Sequence, residues 1–362
     1  MEALQRTPLH AFHLARGARM VPFAGWEMPV QYTSILEEHR AVRAHAGLFD
    51  VSHMGEIQVT GKEATAFLNR LVTNDVRQLA PGRALYTAMC YPDGGVVDDL
   101  IVYQRADDDY LLVVNASNLE RDLEWMDGKV VEYNCRMDDV SAAYGLLAVQ
   151  GPAAPRILEQ AGLPLEDLAR FALREVTWEG APVLLSRTGY TGEDGAELFV
   201  PADRAAALAD HLMQVGGAHG LVPAGLGARD SLRLEAGYPL YGHELSARIT
   251  PLQAGLGWVV KLGKRANFYG KEALTAEKAA GPRRRVVWFR LPGRRIAREG
   301  TPVLAGTREV GRVLSGSLSP LTGAPIGSAL VESEFTSGPL EVDLRGTQVA
   351  LELARPPLHH VS

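Results

Sequence analysis

An α+β fold with a separate C-terminal β-barrel is what this sequence of 362 residues predicts. Three observations carry that prediction. Helix-type and strand-type runs alternate through residues 1–280, only short β-type runs follow Gly281-Pro282, and the charge changes sign at the same place. Residues 1–280 carry a net charge of -10 and residues 281–362 a net charge of +4, within a total of -6. A single hydrophobic core stops growing at roughly 250–300 residues, so two or three cores are expected. The 46% apolar fraction excludes a disordered chain. No run of about 18 apolar residues offers a membrane span, and the acidic balance gives no general attraction to phosphate backbones. Neither a membrane nor a nucleic acid is expected as a partner.

The elements follow in order. Ser34-Ile35-Leu36-Glu37 is a capping box that opens a helix toward His45, with Gly47 as its stop. Between Gly61 and Asn74, Ala64, Phe67, Leu68 and Leu71 fall on one face of an amphipathic helix. Leu111 to Val114 is a buried strand, and Ser117-Asn118-Leu119-Glu120 is a second capping box, opening a helix over Leu119–Met126. Lys271 to Ala280 is a helix broken by Gly281-Pro282, the domain boundary. Beyond it, Val286-Val287-Trp288-Phe289 and Arg312-Val313-Leu314 are strands of a small barrel or sandwich.

Several chemistries lack their motifs. The chain has no phosphate-binding G-x-x-x-x-G-K-[ST], no G-x-G-x-x-G after a strand, no H-E-x-x-H and no G-x-S-x-G. His10 and His13, like His359 and His360, have no Cys or carboxylate at ligand spacing, so no metal is expected and these histidines read as exposed. Cys90 and Cys135 are isolated and read as buried free thiols. The first eight residues lack an apolar signal core, which makes a cytoplasmic location the expectation.

Four clusters remain as candidates. In Gly94-Gly95-Val96-Val97-Asp98-Asp99-Leu100-Ile101-Val102-Tyr103 two carboxylates interrupt a β-branched run, and alternation sends them to opposite faces. At least one must meet N–H groups, a cation or a ligand, unless the strand lies near the surface with Asp98 capping the turn. Arg187 to Val200 forms a glycine-rich loop leading to Glu197 in an apolar strand. That carboxylate suits two parallel N–H donors, as on a pterin or guanine edge, or pairing with an Arg. Arg229 and Arg233 share a helix face after Gly225-Leu226-Gly227, where they answer an acidic substrate or pair with Asp230 or Glu235. The run of arginines from Arg283 to Arg298 is a solvated basic face or a docking surface for an acidic protein.

Taken in order, Thr7-Pro8-Leu9, Phe23-Ala24-Gly25-Trp26-Glu27-Met28-Pro29-Val30-Gln31-Tyr32, Phe49-Asp50-Val51-Ser52-His53-Met54-Gly55, Gly94 to Asp99, Thr188 to Gly195 and Gly225 to Asp230 closely resemble the T protein of the glycine cleavage system, an aminomethyltransferase family. The resemblance spans the whole chain, through Arg295-Ile296-Ala297-Arg298 and Gly316-Ser317-Leu318-Ser319-Pro320. It implies a three-lobed cloverleaf around a central folate cavity: two intertwined α+β lobes in 1–280, with discontinuous boundaries near 50 and 140, and a barrel in 281–362. It further implies that tetrahydrofolate is the co-substrate, that lipoylated H protein is the partner, and that no metal or flavin takes part.

By position, Asp99 corresponds to the family's catalytic aspartate. Met54, Tyr86, Tyr103, Asn115 and Tyr190 match pocket positions, Glu197 a pterin-side acceptor and Arg229 a folate-contacting cation; Tyr238 is a further candidate. The tail from Pro356 to Ser362 departs from the family's usual ending, so no folate contact is carried over to it. A folate-dependent iron–sulfur maintenance factor is the competing relative, but its Cys motif is replaced here by Arg265-Ala266-Asn267-Phe268-Tyr269-Gly270-Lys271-Glu272. A non-enzymatic folate-binding module is the alternative from another class.

Overall fold

The computed structural model describes residues 3–359. The chain begins with helix α1 (His10–Ala15), the hairpin β1 (Arg19–Phe23) and β2 (Trp26–Gln31), and helix α2 (Ile35–Ala44). Ser34 caps α2 by accepting the Glu37 N–H at 3.2 Å, the interaction expected of the capping box. Gly47 is not its stop. The helix ends at Ala44, and Gly47 lies inside strand β3 (Ala46–Asp50), where a Cβ would come within 2.5 Å of Val42 Cγ2. The glycine serves helix-to-strand packing rather than a turn.

Strand β4 (Gly55–Thr60) leads into α3 (Ala64–Leu71), whose Ala64, Phe67, Leu68 and Leu71 are buried as their spacing predicts. There follow β5 (Arg83–Cys90), β6 (Val96–Ala106), β7 (Asp109–Val114) and α4 (Leu119–Val130). The second capping box does not form. Ser117 sits inside a short 3-10 turn, Ala116–Asn118, with its hydroxyl 3.3 Å from Asn118 Oδ1, and Asn118, just before α4, makes no side-chain cap to the helix. Next come β8 (Arg136–Asp139), β9 (Tyr144–Gln150), α5 (Ala154–Gln160), β10 (Leu173–Trp178), β11 (Ala181–Ser186) and β12 (Gly195–Pro201). Helix α6 (Ala205–Gly216), β13 (Leu221–Pro223), α7 (Leu226–Ala236) and α8 (Lys271–Ala280) complete this part, α8 stopping at Gly281 as the sequence predicts.

Two sheets organise these strands: β10-β11-β12-β9-β3-β13, with β13 parallel to β3, and β5-β6-β7-β4-β8. After α8, β14 (Arg284–Arg290), β15 (Pro302–Ala305), β16 (Arg308–Leu318), β17 (Pro325–Glu332), β18 (Leu340–Asp343) and β19 (Gln348–Ala354) close into a six-stranded barrel. Phe289, Val303, Val313, Val331 and Val342 fill it, as inward alternation requires. No helix among the described residues is long and apolar enough to cross a membrane.

The chain divides into two compact units. The first runs up to Leu68 and adds Val76–Tyr86 and Leu100–Asp230; the second takes Asn69–Asp75, Thr87–Asp99 and everything from Ser231. The first has a core in which α5 and α6 cover the β9 and β12 side of their sheet, through Leu147, Val149, Ile157, Leu198, Val200, Leu208 and Leu212. In the second, Leu234 of α7 packs with Ile326 of the barrel and with Leu358, which is fully buried.

Candidate functional site

In the first unit, Tyr103 and Thr188 meet Glu197. Strand β12 is paired on both sides, opposite Ala148 of β9 and Ser186 of β11, so its carboxylate is 9% exposed in the middle of an apolar sheet. The Thr188 hydroxyl donates to Oε2, and the Tyr103 hydroxyl approaches the same oxygen at 3.4 Å. No described residue donates to Oε1, and no Arg forms an ion pair with Glu197, which decides against the structural pairing that the sequence left open. An ionised carboxylate so placed retains acceptor capacity for a ligand N–H.

The loop before β12 owes its shape to other charges. Arg187 grips Asp194 through two bonds, 3.0 and 2.6 Å, while Arg43 donates to Glu193 at 2.8 Å and to the Thr191 carbonyl at 2.7 Å. Gln150 holds the Thr188 carbonyl and the Thr191 hydroxyl. With these bonds fixing the loop, Tyr190 stands half-buried beneath the Arg229 guanidinium, which lies 4.7 Å from its ring centre. Arg229 forms no ion pair with a described carboxylate. Burial works against its charge, whereas Tyr190 and Glu197 favour it.

Met54 is half-buried directly after His53, in the turn between β3 and β4. Asn115 follows β7 and makes no side-chain cap to the 3-10 turn behind it; Tyr86 is half-buried on β5. Asp99 and Tyr238 fall in the second unit. There, Gly95 lets the chain pass against the Ala247 carbonyl, which a Cβ would approach to 2.0 Å, and Val96 N–H donates to Ser246 O at 3.0 Å. Strand β6 leaves that contact with Asp98 fully buried and Asp99 half-exposed, the opposite faces that alternation predicts.

Arg233 does not join the candidate site. It is 1% exposed and bound to Glu244 at 2.8 Å, to the Ser315 hydroxyl at 2.9 Å and to the Tyr238 carbonyl at 3.2 Å. Nor are the described terminal histidines exposed. His13 is fully buried between Asp50 Oδ2 and the Tyr32 hydroxyl, each at 2.8 Å, with the Thr7 hydroxyl donating to Asp50 at 2.6 Å. Burial raises the Asp50 carboxyl, but its bonds to His13, Ser52 and Thr7 prevail and leave it below the usual range. His10 bonds Glu27 at 2.8 Å, and His359 lies 3.6 Å from Glu235; His360 is outside the described residues. Cys90 is buried, Cys135 only partly.

Two groups near the site escaped the sequence analysis, His53 and Glu56. Glu56 is 1% exposed, its Oε1 has no partner, and burial together with Asp139 and Glu197 keeps its carboxyl well above the ordinary range. The available signal was Ser52 and His53 in the turn after β3 and Glu56 inside the apolar strand β4. Among the described residues no group of three or more His, Cys, Asp or Glu could hold a metal.

Known proteins match along the full length. Residues 9–264 match the family model described as the GCVT N-terminal domain, and residues 284–359 the glycine cleavage T-protein C-terminal barrel domain. The aminomethyltransferase of Geobacillus kaustophilus is 48% identical over 364 residues, covering 98% of this chain and 99% of its own. That of Bacillus subtilis is 45% identical over 360 residues, with the same coverage of 98% and 99%. The crystal structure of glycine cleavage system aminomethyltransferase T from Bartonella henselae matches with a TM-score of 0.92 at 34% identity over 98% of both chains. Mixed α/β sheets, a C-terminal barrel and relatives of one activity define an enzyme of the aminomethyltransferase class. The chain belongs to the glycine cleavage T-protein family.

Proposed function

We propose that this enzyme moves the methylene carbon of an aminomethyl group, carried on the lipoyl arm of H protein, to tetrahydrofolate. Ammonia and dihydrolipoyl H protein are the other products. The observation that carries the reading is the pairing, within one unit, of a carboxylate with an open oxygen, Glu197, and a guanidinium without a carboxylate partner, Arg229. A reduced pterin offers adjacent N–H donors that suit such a carboxylate, and its folate extension carries the negative charge that suits an arginine. Tyr103, Tyr190 and Met54 supply apolar surface beside them, with Tyr86, Asn115 and Tyr238 as further contacts.

Asp99 takes the catalytic role in this reading. Positive charge develops at the reacting nitrogens as ammonia leaves, and a fixed anion stabilises it and accepts a proton. Holding the folate amine against the aminomethyl carbon contributes by orientation, worth up to ~7–11 kcal/mol in favourable cases. Residues 1–280 hold the folate, and the barrel of residues 281–362 receives H protein. The exposed Arg283, Arg284, Arg285, Arg294, Arg295 and Arg298 support the latter role, whereas Arg290 is bound to Glu352 and to the Leu358 carbonyl.

A coupled assay with aminomethylated H protein and tetrahydrofolate tests the function. Folate-dependent ammonia release is expected, and its absence leaves only a binding module. Asp99→Asn is expected to keep folate binding within a few-fold and to slow transfer by on the order of 10²–10³. A variant that turns over like wild type removes Asp99 from its role. The KM for H protein should rise with salt; a flat dependence rules out docking by the arginine face.

A further inference from the structure

Helix α2 braces both members of the Tyr190–Arg229 pair. Arg43, in its last turn, holds the Thr191 carbonyl and Glu193 in the loop that carries Tyr190, and Glu38, in its first turn, holds the entry to α7. Glu38 is 1% exposed, and its carboxylate accepts three backbone donors. Oε1 takes the N–H groups of Tyr32 at 2.5 Å and Thr33 at 2.9 Å, and Oε2 takes the Gly225 N–H at 2.9 Å.

Gly225 directly precedes α7, and its carbonyl accepts the Arg229 N–H at 3.1 Å to close the first turn. One residue therefore links the Glu38 carboxylate to the backbone of Arg229. The N–H before a helix is commonly held by a Glu or Gln at the third position of that same helix. In α7 that position is Ala228, which has no side-chain acceptor, so α2 supplies the carboxylate instead. Glu38 thereby sets an anion at the N-terminal end of α7, where the helix dipole favours one and where Arg229 adds positive charge. The entry has little slack. A Cβ on Gly225 would meet the Val30 carbonyl carbon and oxygen at 2.5 Å, and the neighbouring Ala224 N–H donates to Leu48 O at 2.9 Å.

We propose that Glu38 is a positioning residue for ligand binding: through the Gly225 peptide it holds the Arg229 guanidinium over the Tyr190 ring, in place for the negative charge of the folate extension. This rests on the folate reading of the same site. Glu38 itself touches no ligand, and its contribution passes through Arg229.

Tetrahydrofolate titration of the full chain, followed by intrinsic fluorescence at a temperature where each variant is folded, tests the proposal as a double-mutant cycle. Glu38→Gln keeps the side chain's shape and one acceptor oxygen, which serves the Tyr32 and Thr33 N–H groups, but turns an NH2 toward the Gly225 N–H. It is expected to weaken binding on the order of tenfold. Gly225→Ala displaces the same peptide while leaving Glu38 intact, and a similar loss is expected. In an Arg229→Ala background both losses should shrink to less than about twofold, because the residue they act through is gone. Equal binding by wild type and Glu38→Gln overturns the proposal. So does a loss that persists undiminished in the Arg229→Ala background, the pattern of a residue that serves only the fold. Wild type that binds no tetrahydrofolate refutes the folate reading, and this proposal with it.

Discussion

Arg229 and Arg233 stand one turn apart on α7, yet they belong to opposite kinds of polar environment. Arg233 and Glu244 form a closed network. Glu244 also accepts the Leu240 N–H at 3.0 Å and the Ser328 hydroxyl, and Arg233 adds Ser315, so helix, loop and the barrel strands β16 and β17 share one buried charge pair. Arg229 and Glu197, with His53 and Glu56 nearby, form an open patch: Glu197 Oε1, His53 Nδ1 and Glu56 Oε1 have no hydrogen-bond partner among the described residues, and the Arg229 guanidinium meets the Tyr190 ring but no described carboxylate at ion-pair distance. A closed network spends its polar capacity on the fold. An open one keeps it for a ligand, at a cost in stability.

That contrast makes the two sets respond differently to substitution. Glu244→Ala leaves a buried guanidinium uncompensated and should cost about 3–5 kcal/mol in urea unfolding, the largest effect expected. A loss under about 1 kcal/mol would break the comparison, placing the pair among weak surface bridges.

Acid should expose the open patch. His53 takes up its proton near pH 6.5 when unfolded and only near pH 4 when folded, so the unfolded state binds more protons between these values. It carries no protonation penalty above pH 6.5, and the folded state loses about 3 kcal/mol in all as pH falls from there toward 4. The difference between wild type and His53→Leu in unfolding free energy, followed from pH 7 to 4, should shift by that amount in favour of the variant.

In the same patch, Glu197→Gln should weaken tetrahydrofolate binding by roughly 10–100-fold, the worth of a charged hydrogen bond, with no loss of Tm. A fall in Tm without a change in affinity would assign Glu197 to the fold instead. The smallest effect is expected from Glu56→Gln. The Glu56 carboxyl keeps its proton in the folded state above the pH where the unfolded chain ionises, so wild type loses stability as pH rises past 4.5. The variant should melt higher than wild type at pH 8, with the gap closing below pH 4.5.

Local signals were legible. The α2 cap, the apolar face of α3, the end of α8 at Gly281 and the alternation of Asp98 and Asp99 all follow from residues within a few positions of one another. Motifs of fixed spacing likewise pointed to the family, and marked Glu197 and Arg229 as candidates. Misreadings arose where partners are distant in sequence. Gly47 packs on Val42 and Ala224, and His13 is buried by Asp50 and Tyr32. Ser117 shows the limit on the local side as well, since a 3-10 turn took the place of the cap that its spacing allowed.

The sequence by itself determined the α+β class, the barrel after residue 281, the charge division of -10 and +4, and the residue types at the site, because propensity, periodicity and motif spacing are short-range properties. Only the tertiary structure decided which charges are satisfied. Arg229 and Arg233 look alike along one helix, and what separates them is whether a carboxylate from elsewhere in the chain reaches the guanidinium. Burial and long-range pairing set that, and neither is written in the neighbouring residues.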